Sequence, residues 1–174
     1  MIEHIRPKYR CTTCQGEFAM ARVPSAPIAK GLPEAGMLAY VVTSKYADHL
    51  PLNRIQVILS REGPHFHRST LCDWVDGTAA LLQGVADQVL REILTHHVVG
   101  LDETGIRVIF DKHDAVNGTR NARIWAYRGR VGEVFFTYSE TKKVDDPRGP
   151  KVKLRGYRGF VQADAAGIFD DLFA

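Results

Sequence analysis

The spacing of apolar residues divides the chain into a loop-rich start, a helical middle and a strand-rich end. Residues 1–33 contain four prolines, which exclude long helices, and only 2–10 predicts a strand. Between 31 and 94 the apolar residues recur at helical spacing. From Val98 onward they alternate or run continuously, which is typical of strands. The pattern therefore predicts an α+β protein with a helical first half.

Three helices are predicted in the middle of the chain. The first spans 31–50, and Pro51 opens a second that ends before Gly63. Ser69 is the predicted N-cap of a third helix that runs to Leu94. Its long apolar stripe is interpreted as core. The stripe consists of Leu71, Trp74, Val75, Thr78, Leu82, Val85, Val89 and Ile93.

The second and third helices, with the short turn between them, form a candidate helix-turn-helix motif. In such a motif, phosphate and base contacts come from the turn and from the start of the second helix. The residues that we predict to bind DNA here are Arg61, Arg68, Ser69 and Thr70. A pair of helices that only pack together gives the same spacing, so the sequence leaves both interpretations open.

The last part of the chain predicts three antiparallel strands, a crossover and a fourth strand. The first strand runs from Val98 past Phe110, and Asn117-Gly118 marks a turn after it. Strands at 124–127 and 134–138 follow, and a basic connection leads to a strand at 159–164. With acids on strands one and four, this order describes the first half of a ribonuclease-H-like fold.

Two aspartates follow apolar runs on the first and fourth predicted strands. Val98-Val99-Gly100-Leu101, which suits a strand buried on both faces, leads into Asp102-Glu103-Thr104, and a similar run ends at Asp164. A buried strand that ends in a carboxylate is costly unless a cation or donor meets the charge. Neighbouring strands would bring Asp102 and Asp164 together, as a two-metal phosphoryl-transfer site requires. The alternative is that each is an ordinary strand-end or turn residue.

The composition is that of a globular protein, with 174 residues, 45% hydrophobic and 25% charged. No apolar run is long enough for a bilayer, and the first residues lack the apolar segment of a secretory signal. An odd count of three cysteines fits a reducing compartment, so we expect a cytoplasmic protein. The net charge is +3, and cations concentrate at 142–158. This segment predicts either a polyanion contact beside the acids or a solvated loop.

Cys11-Thr12-Thr13-Cys14 is half of a zinc site. A C-x2-C pair brings two thiolates together, but a structural zinc site needs four ligands. The chain has no second such pair, and His4 is the only imidazole nearby. His96 and His97, which precede the first long strand, are interpreted as a linker because adjacent strand residues point to opposite faces.

Several segments together resemble the insertion-sequence-sixty-six family of bacterial transposases over most of the chain. The most specific are Ser44-Lys45-Tyr46-Ala47-Asp48-His49-Leu50-Pro51-Leu52, Arg68-Ser69-Thr70-Leu71 and Asp73-Trp74-Val75. The others are His4-Ile5-Arg6-Pro7-Lys8-Tyr9-Arg10-Cys11 with Cys14, Arg61-Glu62-Gly63, Asp102-Glu103-Thr104, and Gly159 with Gln162-Ala163-Asp164.

The resemblance implies a DDE-type enzyme that cuts and joins DNA with two magnesium ions held by three acids. Asp102 would be the first acid and Asp164 the second. Glu103 receives no ligand role because it points elsewhere on the strand. The implied partners are double-stranded DNA with terminal inverted repeats and accessory proteins of the same element, with no membrane and with an oligomer for a full-length enzyme.

The resemblance also implies three regions and a form that lacks both ends. They are a partial zinc-binding segment and linker at 1–33, a helical DNA-binding region at 34–95, and an incomplete catalytic domain at 96–174. The family has another cysteine pair before Cys11, Gly-Tyr where Ala165-Ala166 follows the second acid, and a glutamate beyond Ala174. We therefore expect a truncated transposase without strand-transfer activity. A non-catalytic DNA-binding module and a decayed remnant are the alternatives.

Overall fold

The computed structural model describes residues 5–14, 16–22, 24–28, 31–109, 119–164 and 167–173. His4, the turn at Asn117-Gly118 and Ala165-Ala166 lie outside the described residues. The elements are β1 (Lys8–Tyr9), β2 (Ala19–Met20), α1 (Ala35–Tyr46), α2 (Leu52–Arg61), α3 (Arg68–Ile93), β3 (Val98–Ile109), β4 (Thr119–Arg128), β5 (Val134–Ser139), α4 (Pro150–Lys153), β6 (Phe160–Gln162) and α5 (Asp170–Phe173). The predicted α+β class is confirmed. Two compact units divide the chain between Leu81 and Leu82.

A small hairpin lies at the start of the first unit. β1 and β2 pair antiparallel, with Lys8 opposite Met20 and Tyr9 opposite Ala19. The guanidinium of Arg6 donates to the carbonyl oxygen of Ala21, where Nε lies 2.8 Å away. The strand predicted at 2–10 is therefore short among the described residues, and its partner β2 was not predicted.

The three predicted helices are confirmed, and the first unit is built on a core that they share. The buried residues of this core are Leu38, Val41, Ile55, Leu59, Leu71 and Trp74. The Phe66 ring packs edge-on against Trp74, with 4.8 Å between centroids. α1 begins at Ala35, later than predicted, because Glu34 is still extended after Pro33.

The predicted N-cap at Ser69 is wrong. α3 begins at Arg68, so Ser69 already lies inside the first turn. The residue before the helix is His67, whose Nδ1 lies 2.7 Å from Ser69 Oγ and accepts the Ser69 backbone N–H at 3.4 Å. The imidazole of His67 therefore accepts a hydrogen bond from a free backbone N–H at the start of the helix, the role that was predicted for the Ser69 hydroxyl.

The apolar stripe of α3 is core only in part. Leu71 and Trp74 near its start and Ile93 at its end are buried, whereas Leu82 and Val85 in the middle are 50% and 61% exposed. A helix of 26 residues is about 39 Å long, which exceeds the width of one small core. Helical spacing predicts which side of α3 is apolar but not how much of its length has a partner.

The second unit contains a four-stranded mixed sheet in the order β5-β4-β3-β6. β3, β4 and β5 are antiparallel neighbours, and β6 runs parallel to β3 after a connection that contains α4. The three antiparallel strands, the crossover and the fourth strand follow the predicted order. β6 is shorter than predicted, since it ends at Gln162.

One face of this sheet is buried and the other is open. Trp125, Tyr127 and Phe135 lie in a core to which α3 and the end of the chain also contribute, through residues such as Ile93 and Phe169. The expectation that the Val98 run is buried on both faces is wrong. Val99 and Leu101 are buried, but Val98, the first residue of β3, is 43% exposed. This difference is typical of an antiparallel sheet that has one face in solvent.

Candidate metal and nucleic-acid site

Asp102 lies within β3 rather than at its end, since the strand continues to Ile109. Its side chain is exposed, whereas the apolar run before it had suggested a buried one. Asp102 Oδ1 accepts the backbone N–H of Glu103 at 2.8 Å. This hydrogen bond fixes one carboxylate oxygen, and the residue lines the cleft described below.

Asp164 lies two residues beyond the end of β6, on the strand that neighbours Asp102. β3 and β6 pair in parallel through Val98 with Phe160, Val99 with Val161 and Gly100 with Gln162. The same offset, carried two residues further, relates Asp102 to Asp164. Both aspartates line one cleft. The structure therefore brings the two predicted acids to the same side of the sheet.

Glu103 points to the opposite face of the sheet from Asp102. Its Oε2 lies 2.8 Å from Nε of Arg123, which forms a salt bridge without the alignment of a hydrogen bond. Both side chains are about four-fifths covered, with exposures of 21% and 22%. Glu103 is thus occupied by a cation away from the two aspartates.

The cleft that contains both acids has a volume of about 1150 Å³. Its other charged or titratable lining residues are Arg128, Arg130, His96 and His97. Gly100 and Ala126 provide small lining residues beside Asp102. The acids therefore lie in an open groove with cations at its border, which is suited to a polyanion held near a divalent metal.

Arg128 and Arg130 are the cations that sequence reasoning missed. Of the two interpretations of the basic segment 142–158, a polyanion contact beside the acids and a solvated loop, the first finds no support here, since none of its residues lines this cleft. Lys143 and Lys151 instead line a different cavity of about 350 Å³ together with Asp145 and Asp171. The available signal was the alternation in β4, which places Arg128 on the same face as Ala126.

The turn between β4 and β5 connects to His96 at the border of the cleft. His96 Nε2 lies 3.4 Å from Glu133 Oε1, and Glu133 Oε2 accepts the Val131 N–H at 3.0 Å. Hydrogen bonds from its own backbone N–H and from Val131, together with His96, lower the pKa of Glu133. His96 is therefore part of the cleft border rather than only a linker.

Cys11 and Cys14 lie in the turn of the β1–β2 hairpin, and both are exposed. Hydrogen bonds from the backbone of Cys14, and secondarily of Thr13, lower the pKa of Cys11 from 9.0 to about 7. This turn thus favours a thiolate, the form that binds zinc. Among the described residues no group of three or more His, Cys, Asp or Glu side chains is arranged for a metal ion.

The residues predicted to bind DNA flank the turn between α2 and α3. Arg61 ends α2, and Arg68, Ser69 and Thr70 form the first turn of α3. Arg61, Arg68 and Ser69 are exposed, and Thr70 is half-buried. Three of the four side chains are therefore accessible from solvent at one helix junction.

Comparison with known proteins gives the family. The model of the family described as Transposase IS66 family matches residues 30–174. The chain belongs to this family. The matched residues include both the helices α1 to α3 and the four-stranded sheet.

Three curated relatives, all from Sinorhizobium fredii (strain NBRC 101917 / NGR234), are uncharacterized proteins. The chain is 31% identical to y4qI over 96% of its own length, 27% identical to y4jD over 97%, and 26% identical to y4hP over 99%. It spans only 31%, 33% and 31% of these relatives. No solved structure matches the chain significantly. Among the described residues no helix has the length and apolarity that crossing a membrane requires.

Proposed function

We propose that this IS66-family chain is part of a DNA transposase whose Asp102 and Asp164 bind magnesium ions, which in turn bind a DNA phosphodiester. One observation carries the proposal: Asp102 on β3 and Asp164, two residues beyond the end of the adjacent parallel strand β6, share the offset of the strand pairing and line one cleft. The proposed arrangement is the first half of a ribonuclease-H-like domain, which the strand order β5-β4-β3-β6 supports.

The residues present fit a hard divalent cation. Asp102 and Asp164 offer carboxylate oxygens, the ligands that Mg²⁺ prefers, in a groove wide enough to keep several waters on the ion. Bound magnesium would activate the attacking hydroxyl and stabilise the leaving oxygen of the phosphodiester. The Glu103 N–H holds Asp102 in place through a 2.8 Å hydrogen bond, so the carboxylate is oriented before any ligand arrives.

We further propose that this chain alone does not carry out strand transfer. Enzymes of this type use three acids, and two carboxylates leave two metal ions short of protein ligands. The described residues contain no group of three suitable side chains. The cutting and joining of insertion-sequence ends would then belong to a protein of the length of the relatives, of which this chain spans about a third.

The test is direct metal binding, because it does not depend on catalysis. Mn²⁺ added to the chain should broaden the NMR signals of residues around Asp102 and Asp164 before others. Asp102→Asn and Asp164→Asn should each weaken Mn²⁺ binding at least about tenfold, since each removes one charged ligand. Glu103→Gln is the matched control, because Glu103 faces Arg123 instead. Unchanged Mn²⁺ binding in both aspartate variants would disprove the proposed site.

The second candidate function is a DNA-binding module without catalysis, which the exposed Arg61 and Arg68 at the α2–α3 junction favour. If the aspartate variants bind Mn²⁺ like the wild type while Arg68→Ala weakens binding to terminal-repeat duplex in a gel shift, the binding module is the better description. Strong cleavage of the repeat that Asp102→Asn abolishes would instead refute the inactive form.

We propose that Cys11 and Cys14 supply two of the four ligands of a structural Zn²⁺. The lowered pKa of Cys11 and the hairpin turn that holds both thiols support this proposal. Co²⁺ added in place of Zn²⁺ should give a thiolate charge-transfer absorption that Cys11→Ser and Cys14→Ser each reduce. Cys72→Ser is the control and should leave the absorption unchanged. Absorption that stays at the wild-type level in both Cys11→Ser and Cys14→Ser would show that the metal binds elsewhere.

A further inference from the structure

The open sheet face carries a cation and an exposed aromatic ring close to the two acids. In the pairing of β3 with β4, Gly100 lies opposite Arg128 and Asp102 lies opposite Ala126. In the pairing of β4 with β5, Ala126 in turn lies opposite Phe136. All five residues line the cleft. Asp102, Ala126 and Phe136 therefore form a row across three strands, and Arg128 is a diagonal neighbour of Asp102.

We propose that this surface binds a single-stranded DNA segment beside the bond to be cut, with Arg128 on a backbone phosphate and Phe136 stacked on an unpaired base. The inference rests on the proposed function, from which it takes DNA as the ligand. It adds which residues hold the strand, and it specifies that the bases in the cleft are unpaired.

The floor of the cleft is flat where the sugar-phosphate backbone would lie. A Cβ atom on Gly100 would meet Arg128 Cβ at 3.5 Å and its carbonyl oxygen at 3.8 Å, which are ordinary contacts. The backbone therefore does not require glycine at this position. What the missing side chain provides is free space between Arg128 and Gln162, and Ala126 continues this low surface toward Phe136.

Arg128 is suited to hold a phosphate. Its side chain is exposed and has no hydrogen bond or ion pair with any other residue that the structure describes. Diagonal neighbours on one sheet face have Cβ atoms about 7–8 Å apart, so the guanidinium of Arg128 reaches a phosphate placed above Asp102. A guanidinium binds phosphate through two parallel N–H···O bonds and offsets the repulsion between the phosphate and the two acids.

Phe136 is suited to stack on a base. It lies on the edge strand β5 beside Ala126, and 62% of it is exposed on the open face. Aromatic side chains that project from a sheet are the usual stacking surface for single-stranded nucleic acids. Bases in a duplex are already stacked on each other, so only an unpaired base reaches the ring. The combination of ring and cation favours a single strand over both a duplex and an apolar protein segment.

Phe160 and Arg155 provide matched controls within the same unit. Phe160 is 65% exposed, but it packs edge-on with His97 at 5.0 Å between centroids and does not line the cleft. Arg155 is an exposed cation of the basic segment that also lies outside the cleft. Phe160→Leu removes an aromatic ring, as Phe136→Leu does, and Arg155→Gln removes a guanidinium, as Arg128→Gln does, but both controls do so outside the cleft.

The experiment measures fluorescence anisotropy of a short labelled oligonucleotide, single-stranded or duplex, with the full chain in Ca²⁺ at several salt concentrations. Arg128→Gln should weaken single-strand binding several-fold and reduce the slope of log affinity against log salt by about 0.7, the value for one single-strand phosphate. Phe136→Leu should weaken it about tenfold, and Phe136→Trp should retain it. Arg155→Gln and Phe160→Leu should stay within about twofold of the wild type.

The outcomes separate this inference from the proposed function. If Arg128→Gln and Phe136→Leu bind the single strand like the wild type, while Asp102→Asn still loses Mn²⁺, the inference is wrong and the metal site stands. The open face then fits a protein segment better than DNA. If Phe136→Leu weakens duplex and single strand equally, stacking on an unpaired base is refuted. If the wild-type chain binds no DNA even at low salt, both proposals fail.

Discussion

Neighbouring carboxylates in β3 have opposite surroundings. Asp102 faces an open cleft, whereas Glu103 is largely covered and pairs with Arg123. Successive residues of a strand point to opposite faces, so the sequence alone predicts this separation once the strand is recognised. The same alternation separates Val98, which is exposed, from Val99, which is buried. Roles at this site are therefore assigned residue by residue rather than by motif.

Ser139 stabilises the buried Trp125 through two hydrogen bonds. Trp125 Nε1 donates to Ser139 Oγ at 2.8 Å, and Ser139 Oγ donates to the Thr141 carbonyl at 2.7 Å. Trp125 and Ser139 are both fully buried. Ser139→Ala leaves an indole N–H without a partner, so we expect a loss of about 1–3 kcal/mol in the free energy of unfolding, measured by urea denaturation.

Ser60→Ala is the control for this prediction. Ser60 Oγ donates to the Val57 carbonyl at 2.8 Å within α2, and the residue is only half-buried. Its substitution should change the free energy of unfolding by less than about 0.5 kcal/mol. Equal effects of the two substitutions would show that the Trp125 hydrogen bond contributes little.

At the scale of elements, the β4–β5 hairpin forms one border of the cleft. It carries Arg128 and Phe136, and its turn contains Gly129 and Gly132. Gly132 has a φ of 105°, which L side chains rarely adopt. A Cβ on Gly129 would lie 2.5 Å from Glu133 Oε2. The strands predicted at 124–127 and 134–138 are thus joined by a short turn, in which Gly129 leaves room for the Glu133 carboxylate.

Glu133 makes the stability of this hairpin dependent on pH. Its folded pKa is lowered, so the ionised form adds stability above the pKa of the unfolded chain, about 4.5, and the contribution is lost as pH falls through the folded value. Glu133→Gln should therefore lower the melting temperature at pH 7. The difference between wild type and variant should shrink progressively below about pH 4.5.

Glu140→Gln serves as the comparison, because Glu140 is exposed and has no hydrogen bond to another residue that the structure describes. Its melting temperature should follow the wild type from pH 3 to pH 7 within about 1 °C. A Glu133→Gln difference that stays constant across this range would mean that its charge is not the cause.

At the scale of the whole molecule, pattern reasoning gave the fold class and the order of long elements. Helical spacing found α1, α2 and α3, and alternation found β3, β4 and β5, because these periods are set by burial of one side. The strand β2, which pairs with β1 in the short hairpin, was missed, since a two-residue strand has no period to detect. The extent of burial was also overestimated, for Val98 and for the middle of α3, because a pattern does not show where a partner is absent.

The candidate site was predicted in part. Asp102 and Asp164 were chosen as acids that follow apolar runs, and the structure places both in one cleft. Their metal ligation remains a prediction. The basic segment 142–158 was offered as a source of cations beside the acids, with a solvated loop as the alternative, because charge runs are easy to see in a sequence. Arg128 and Arg130 were overlooked because only strand pairing brings them beside the acids.

The three residue pairs between β3 and β6 have a consequence for chain length. They fix which residue of one strand lies beside which residue of the other, and the same alignment, continued along the chain, places Asp164 beside Asp102. Inserting or deleting one residue between Val98 and Asp102 would exchange the faces of Asp102 and Glu103 and turn the aspartate toward Arg123. Two-residue changes would keep the face but shift the carboxylate along the strand by about 6.6 Å, beyond reach of a shared ion. The number of residues between Val98 and Asp102 is therefore fixed by the need to keep the two aspartates together.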